Sequence, residues 1–228
     1  MQIIFLHIPK TAGTSVREAL FRARPQAAGL CDYGSASPAT SPLVKELRYG
    51  PGGGVGRLCA ALAEAGPFSL SGHIKVRELA LQAAGARLLT VLRDPAERVV
   101  SHYLHARHRQ GFEGDLMSFA AAPEQRNVQA RFVGAIPPER WLLVARHDRL
   151  AEHMARLSDL IQAPVELEHA NPTPWTLDRE ITAWERRRLR DLNDEDVAAY
   201  EDPRSLIGGR APAQADPGQG SSGGGMRT

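Results

Sequence analysis

An apolar run at the N terminus, followed at once by a tight turn, constrains the fold more than any other part of the sequence. Residues 3–8 read Ile-Ile-Phe-Leu-His-Ile, which predicts a buried strand over residues 2–8. Pro9 ends this strand, and residues 10–15 lead into a predicted helix over residues 15–23. The free backbone N–H groups and the positive dipole end of that helix face the turn. The turn is therefore predicted to bind an anion.

The side chains of the turn add further donors for an anion. The predicted binding residues are Pro9, Lys10, Thr11, Ala12, Gly13, Thr14 and Ser15. Lys10 is informative because lysine is rare here, with three lysines among 28 basic residues. A compact ammonium group can follow a charge that develops on one oxygen, whereas a planar guanidinium bridges two. Lys10 is therefore also the first predicted catalytic residue.

The residue order distinguishes this turn from a nucleoside triphosphate P-loop. In the pattern G-x-x-x-x-G-K-[ST] the lysine follows the glycine, whereas here Lys10 precedes Gly13. Ile-Pro-Lys-Thr-Ala-Gly-Thr-Ser instead resembles the 5′-phosphosulfate loop of sulfotransferases that use 3′-phosphoadenosine 5′-phosphosulfate (PAPS). It is most similar to the branch that contains the heparan sulfate 2-O-sulfotransferases. The resemblance implies a P-loop-like three-layer α/β/α fold, PAPS as donor, adenosine 3′,5′-bisphosphate (PAP) as product, and no metal.

A second anion site is predicted where the strand over residues 87–92 ends. Arg93 follows this strand directly, and ligands of open α/β sheets bind at the carboxyl ends of strands. Ser101 lies about two turns into the next helix and can donate to the same group. The arginine and serine eight residues apart resemble the family's 3′-phosphate motif, which implies that Arg93 and Ser101 hold the donor's 3′-phosphate. An ion pair of Arg93 with Asp94 or Glu97 is the structural alternative.

Gly72-His73 follows a third predicted strand, residues 68–72, and resembles the family segment that carries the proposed catalytic base. A neutral imidazole can take the proton from an acceptor hydroxyl as the hydroxyl attacks sulfur. His73 is therefore the second predicted catalytic residue, with a hydrogen-bonded structural histidine as the alternative. His7 is expected to pack in or near the core. His105 is a reserve candidate for the base.

Other histidines and a downstream helix give weaker signals. His102, His105 and His108 share one helix face, as a metal site or a solvated surface would, and no acidic or cysteine partner lies at ligand spacing. Asn127 and Arg131 resemble the family's Asn-x-Gln-x-Arg helix and are predicted to share a face, either toward an acceptor or toward solvent.

Alternating strands and helices predict a mostly parallel sheet with helices on both faces. A fourth strand is predicted over residues 141–144. The remaining predicted helices cover residues 55–65, 76–83, 96–107, 127–133, 150–161 and 178–192. Residues 25–54 are rich in Pro, Gly and Ser and are predicted to form a lid or a partly disordered loop. Residues 109–125 are predicted to be irregular.

Length and composition limit the class of protein. The 228 residues fit one domain over residues 1–207, with a Gly-rich, disordered tail over residues 208–228. The net charge of +2 suits an anionic ligand without indicating nucleic acid. Two cysteines indicate a reducing compartment, and no signal peptide or apolar membrane span is visible. We expect a cytoplasmic bacterial enzyme.

The expected function is transfer of a sulfuryl group from PAPS to a hydroxyl or amine of an acceptor. The acceptor stays open between a small metabolite, a lipid and a saccharide, and the oligomeric state stays open as well. A P-loop kinase or NTPase is one alternative, in which Asp94 would hold Mg²⁺. A nucleotide-binding module without catalytic activity is the other.

Overall fold

Five parallel strands form one sheet in the computed structural model, which describes residues 1–74, 85–134, 136–168, 175–177 and 179–203. They are β1 (Ile3–Leu6), β2 (Ala28–Asp32), β3 (Phe68–Gly72), β4 (Arg87–Leu92) and β5 (Trp141–Arg146). Their order is β2-β3-β1-β4-β5, and every neighbouring pair is parallel. The predicted α/β class with a central parallel sheet is confirmed.

Helices connect the strands and continue beyond β5. Those described are α1 (Gly13–Ala23), α2 (Pro42–Val44), α3 (Val55–Glu64), α4 (Pro95–Gln110), α5 (Leu116–Ala121), α6 (Val128–Val133), α7 (Leu150–Ile161), α8 (Ala183–Asp191) and α9 (Asp194–Glu201). A π-helical turn covers Lys45–Tyr49, and 3₁₀ turns cover Pro123–Gln125, Pro138–Arg140 and His147–Arg149. No helix within the described ranges is long and apolar enough to cross a membrane.

The two faces of the sheet bury alternate side chains of β1. Ile3 and Phe5 pack in an apolar cluster with α1 and α7. Ile4 and Leu6 pack on the opposite face with α3, α6 and α9. The sheet is therefore covered by helices on both sides, as the resemblance implied. A third apolar cluster joins α4 to α5 and α8 beside the sheet.

The start of α4 is fixed by residues next to it in sequence. Asp94 is the N-cap, and its carboxylate accepts a hydrogen bond of 3.1 Å from the backbone N–H of Glu97. Pro95 occupies the first helical position, where the missing N–H of proline costs nothing. This local pattern places Arg93 directly before the helix.

The structure corrects the prediction that residues 25–54 form a lid or a partly disordered loop. This segment contains β2, α2 and the π-helical turn Lys45–Tyr49. The strand lacks an apolar run because it lies at the edge of the sheet, where Ala28 and Gly29 are exposed and only Leu30 and Asp32 are buried.

The structure also corrects the prediction for residues 109–125, because that stretch contains α5. Asp115 caps this helix by accepting a 2.7 Å hydrogen bond from the backbone N–H of Ser118. The helix predicted over residues 76–83 and the tail predicted over residues 208–228 lie outside the described residues.

Candidate functional site

The candidate site lies at the carboxyl end of β1. β3 is the neighbour of β1 on one side and β4 is the neighbour on the other. The carboxyl ends of all three strands therefore open at one edge, where open α/β sheets bind ligands. The loop after β1, His73 after β3 and Arg93 after β4 all reach this edge.

The loop after β1 has a backbone conformation suited to an anion. Lys10 has φ 71° and Ala12 has φ 67°, both in the left-handed region that residues other than glycine rarely adopt. Each such residue costs on the order of 1–3 kcal/mol. Left-handed residues that alternate with other conformations turn successive N–H groups toward one concavity. The strain is therefore located where an anion would be held.

The side chain of Thr11 stabilises this loop from inside. Thr11 is fully buried, and its hydroxyl donates a hydrogen bond of 2.9 Å to the carbonyl oxygen of Ile8. That proton is therefore used within the loop, so Thr11 can offer an anion its backbone N–H but not its hydroxyl. The side chain of Thr14 is exposed, and Ser15 is buried at 8% exposure.

The N terminus of α1 has no side-chain cap. Ala12 occupies the N-cap position, and its methyl group cannot accept a hydrogen bond from the first turn. The backbone N–H groups that begin at Gly13 therefore remain available to a ligand at the positive end of the helix dipole. The turn thus retains the donors that the sequence predicts.

Gly13 is required because the imidazole of His7 packs against its Cα. A Cβ at this position would lie 1.9 Å from Cδ2 of His7. The expectation that His7 is a core residue is correct for its burial, but β1 ends at Leu6 and His7 lies in the site. Burial lowers the pKa of His7 to about 3, with further lowering by His73, Arg17 and Lys10. His7 is therefore neutral near pH 7.

The environment of His73 fixes which of its nitrogens carries the proton. Nδ1 lies 2.6 Å from the carbonyl oxygen of His7. A carbonyl only accepts, so Nδ1 carries the hydrogen and Nε2 of the neutral ring keeps a lone pair. Within the described ranges Nε2 has no hydrogen-bond partner. Desolvation by burial lowers the pKa of His73, and the hydrogen bond to His7 acts in the opposite direction.

A residue from α6 holds the backbone of Arg93 in place. The backbone N–H of Arg93 donates to Oε1 of Gln129 over 2.8 Å, and Nε2 of Gln129 donates to the carbonyl oxygen of Arg93 over 2.9 Å. Gln129 is fully buried, so both hydrogen bonds are shielded from water. The side chain of Gln129 thus continues the pairing of β4 beyond its last residue.

The sequence interpretation of this helix did not select Gln129. The family-like pattern drew attention to Asn127 and Arg131, which bond elsewhere. The backbone N–H of Asn127 donates to Asn193 over 3.0 Å, and Arg131 donates to the carbonyl of Glu124 over 2.6 Å. The middle residue of the pattern is the one that contacts the site. The sequence does contain a signal for this role, because Gln129 is an uncharged polar residue between Val128 and Ala130.

The guanidinium of Arg93 contacts the first loop. Its Nη1 donates to the carbonyl oxygen of Lys10 over 3.4 Å, and its Nε lies 3.5 Å from Oε2 of Glu97. The ion pair with Glu97 that the sequence left open is therefore present together with the loop contact. Burial and the nearby Arg93 both lower the pKa of Lys10. Two cationic side chains near each other favour binding of an anion between them.

Arg93 also lines a cavity with Ser101, Leu104, Trp175 and Leu177, and the cavity volume is about 730 Å³. Ser101 is 6% exposed and belongs to the face of α4 that borders this space. The cavity has apolar walls and charged residues of both signs, with three arginines and two glutamates in its lining. The structure therefore brings the predicted 3′-phosphate residues together at an opening large enough for a nucleoside.

Two further polar residues between Arg93 and Ser101, Asp94 and Arg98, stabilise the surrounding structure. Asp94 caps α4 and also accepts a hydrogen bond of 2.6 Å from Arg190. Arg98 is fully buried and donates to the carbonyl of Gln125 over 2.9 Å. Burial lowers the pKa of Arg98 to about 10, against an opposing effect of Asp196.

The histidines of α4 pack in different ways. His102 meets Phe119 edge-on at 5.4 Å, and burial lowers its pKa to about 4. His108 stacks on Trp175 at 5.0 Å. His105 is half-buried, and burial followed by Lys10 lowers its pKa. Across the described residues no group of three His, Cys, Asp or Glu side chains has the arrangement of a metal site.

No protein-family model and no curated protein matches this chain. Several solved structures resemble it distantly, and two of them are sulfotransferases. A sulfotransferase from Alicyclobacillus acidocaldarius is 14% identical, with 90% of this chain and 94% of that chain covered and a TM-score of 0.45. The mouse sulfotransferase SULT7A1 complexed with PAP is 9% identical, with 92% and 72% covered and a TM-score of 0.44. The assignments that follow depend on the geometry of this chain.

Proposed function

We propose that this chain is a sulfotransferase that moves the sulfuryl group of PAPS to a hydroxyl or amine of an acceptor. One observation carries the proposal: the two predicted anion sites, of different design and 83 residues apart in sequence, meet where Nη1 of Arg93 donates to the carbonyl of Lys10. A nucleotide with two separated phosphates fits such a pair better than a linear triphosphate does.

The donor would lie along the edge formed by the three strand ends. Residues 9–15, from Pro9 to Ser15, would hold the 5′-phosphosulfate through backbone N–H groups and Lys10. Arg93 and Ser101 would hold the 3′-phosphate. The nucleoside between the two phosphates would occupy the cavity beside Arg93, where Trp175 and Leu177 provide apolar contact.

The reaction needs one group that stabilises the leaving oxygen and one that accepts a proton. As the acceptor oxygen or nitrogen bonds to sulfur, the bond from sulfur to the 5′-phosphate oxygen breaks, and the electron pair stays on PAP. Lys10 and the loop N–H groups would stabilise that charge, and loss of one such donor costs about 10²–10³ in rate. Nε2 of His73 would accept the acceptor proton, an effect on the order of 10²–10⁴.

The protonation state of His73 supports its assignment as the base. The carbonyl of His7 holds the proton on Nδ1, so the neutral ring presents a lone pair at Nε2. A lowered pKa keeps this ring neutral at and somewhat below pH 7. The mechanism as proposed requires no metal, because Lys10, Arg93 and the backbone N–H groups provide the positive field.

The kinase alternative would require a free carboxylate for Mg²⁺ at the end of an apolar strand. Asp94 is the residue at that place, and its carboxylate already caps α4 and pairs with Arg190. The geometry therefore favours sulfuryl transfer over phosphoryl transfer from Mg-ATP.

Calorimetric titration with PAP and, separately, with Mg-ATP tests the donor site. We expect micromolar binding of PAP in the absence of metal, and binding at least tenfold weaker in Arg93→Ala, as expected for loss of a charged phosphate contact. Arg149→Ala is the matched control, because Arg149 pairs with Glu152 on the surface. Tighter binding of Mg-ATP than of PAP would overturn the proposal.

A further inference from the structure

Tyr33 is held firmly at the edge of the candidate site although no sequence pattern selects it. It follows β2 directly, and its backbone N–H donates to Oγ1 of Thr40 over 2.9 Å. The preceding residue, Asp32, is buried, pairs with Arg48 and accepts a hydrogen bond of 2.9 Å from Tyr49. The backbone that presents Tyr33 is therefore anchored on both sides.

The hydroxyl of Tyr33 joins two elements of the site. It lies 2.7 Å from Nδ1 of His7 and accepts a hydrogen bond of 3.2 Å from Nη1 of Arg17. Arginine only donates, so the phenol proton remains available to the ring nitrogen of His7. Because His7 also packs on Gly13, the orientation of the Tyr33 ring is tied to the start of α1.

The ring of Tyr33 packs edge-on against the imidazole of His73. The two ring centres are 4.9 Å apart at an interplanar angle of 81°. His7 contacts the same imidazole at 4.9 Å, and Phe132 of α6 contacts it at 6.3 Å. Three rings therefore restrict rotation of His73, and the hydrogen bond from Nδ1 to His7 selects one orientation.

We propose that Tyr33 is a positioning residue for His73: its ring holds the imidazole in the orientation that leaves Nε2 free, and its hydroxyl locks that ring to His7 and Arg17. The role in catalysis rests on the proposed sulfuryl transfer. The effect on His73 itself does not, so the two can fail separately.

The charged and titratable groups around His73 come from several elements. His7 lies in the loop after β1 and Tyr33 lies after β2, whereas α6 contributes only Phe132. The charges of Arg17 and Lys10 lower the pKa of His7. His73 is already exposed on one side, and removal of the Tyr33 ring would expose it further and weaken the desolvation that lowers its pKa.

Nuclear magnetic resonance titration of the full chain labelled with ¹⁵N-histidine measures this effect without any acceptor. We expect wild-type His73 to be the Nδ1–H tautomer with a pKa below 6.5. Tyr33→Ala should raise that pKa toward its ordinary value and mix the tautomers. Tyr33→Phe keeps the ring and should keep the tautomer. Ser37→Ala removes an exposed hydrogen bond from the backbone N–H of Ala39 in the segment after β2, without touching Asp32 or His73, and should leave the His73 signals unchanged.

Release of labelled sulfate from ³⁵S-PAPS to water, with water as the acceptor, provides the catalytic readout. Tyr33→Ala should lower kcat roughly tenfold, leave the KM for PAPS unchanged, and move the acid limb of the kcat profile to higher pH. An unchanged pKa and tautomer of His73 in Tyr33→Ala would overturn the inference. If Mg-ATP binds wild type more tightly than PAP but the His73 signals shift as expected, the proposed function fails and the positioning contact stands.

Discussion

The first loop and the Arg93 corner both provide anion donors, but they are built in opposite ways. In the loop, Thr11 bonds to Ile8 three residues away, and the N–H of Val16 bonds to the carbonyl of Ala12. At the Arg93 corner, the backbone is held by Gln129 from 36 residues away. The loop is thus determined by near neighbours, whereas the corner depends on the packing of a separate helix.

The two regions also differ in the unfavourable free energy that each of them contains. The loop contains left-handed Lys10 and Ala12, whose strain is offset by the strand and helix on either side. The corner has no comparable strain in its backbone, and its cost is the burial of polar groups of Gln129 that must stay paired. Substitutions in the loop should therefore affect chemistry first, and substitutions behind the corner should affect donor affinity and stability together.

The largest expected effect belongs to the loop. Lys10→Ala should lower sulfuryl transfer from ³⁵S-PAPS by about 10²–10³, because it removes the charge beside the leaving oxygen. The melting temperature should hardly change, since Lys10 is only half-buried. Lys45→Ala controls for the loss of a lysine outside the site. A turnover rate near that of wild type in Lys10→Ala would contradict the mechanism.

A second substitution tests whether the loop depends on close packing. Gly13→Ala would place a Cβ 1.9 Å from the ring of His7, so either the imidazole or the start of α1 must move. We expect a loss of about 1–3 kcal/mol in the free energy of unfolding, measured by urea denaturation. Gly54→Ala is the control, because a Cβ there meets nothing within 4 Å. Equal stability of both variants would show that His7 moves freely.

The corner is tested by removing its long-range support. Gln129→Leu deletes both hydrogen bonds to the backbone of Arg93 and leaves its half-buried N–H and carbonyl groups without these partners. The expected results are about 1–3 kcal/mol less stability and roughly tenfold weaker binding of PAP in calorimetry. Arg131→Ala, on the exposed side of the same helix, should change neither quantity. Wild-type stability and PAP affinity in Gln129→Leu would contradict the supporting role of Gln129.

The smallest effect is the response of stability to pH, which acts on both regions. Burial lowers the pKa of His7 in the loop to about 3 and that of His102 behind the corner to about 4. Below about pH 6.5 the unfolded chain binds protons that the folded chain does not, so stability should fall as pH decreases toward 4. Between about pH 6.5 and pH 4, the urea midpoint of His102→Leu should depend less on pH than that of wild type, because one titrating group has been removed. The same slope in both proteins would contradict the burial of His102.

The sequence specified the parts of this protein that are built locally. β3 and β4 occur at the predicted residues, because short segments with large apolar residues, bounded by Gly and Pro, indicate a strand without distant help. The turn after β1 occurs where Pro9 and Gly13 place it, and the parallel order of the sheet follows from alternating strands and helices. The local chemistry of Lys10 and the N terminus of α1 could be predicted for the same reason.

The residues that hold the site in place could be identified only from the tertiary structure. β2 lies at the edge of the sheet and buries few side chains, so its residues resemble a loop in sequence. Gln129 bonds to the backbone of Arg93, 36 residues away in sequence. Tyr33 packs on the ring of His73, whose centre lies 4.9 Å away. No local spacing in the sequence connects such pairs. Their roles arise from packing, because a polar side chain acquires a specific partner only when folding removes water and brings a distant segment within hydrogen-bond reach.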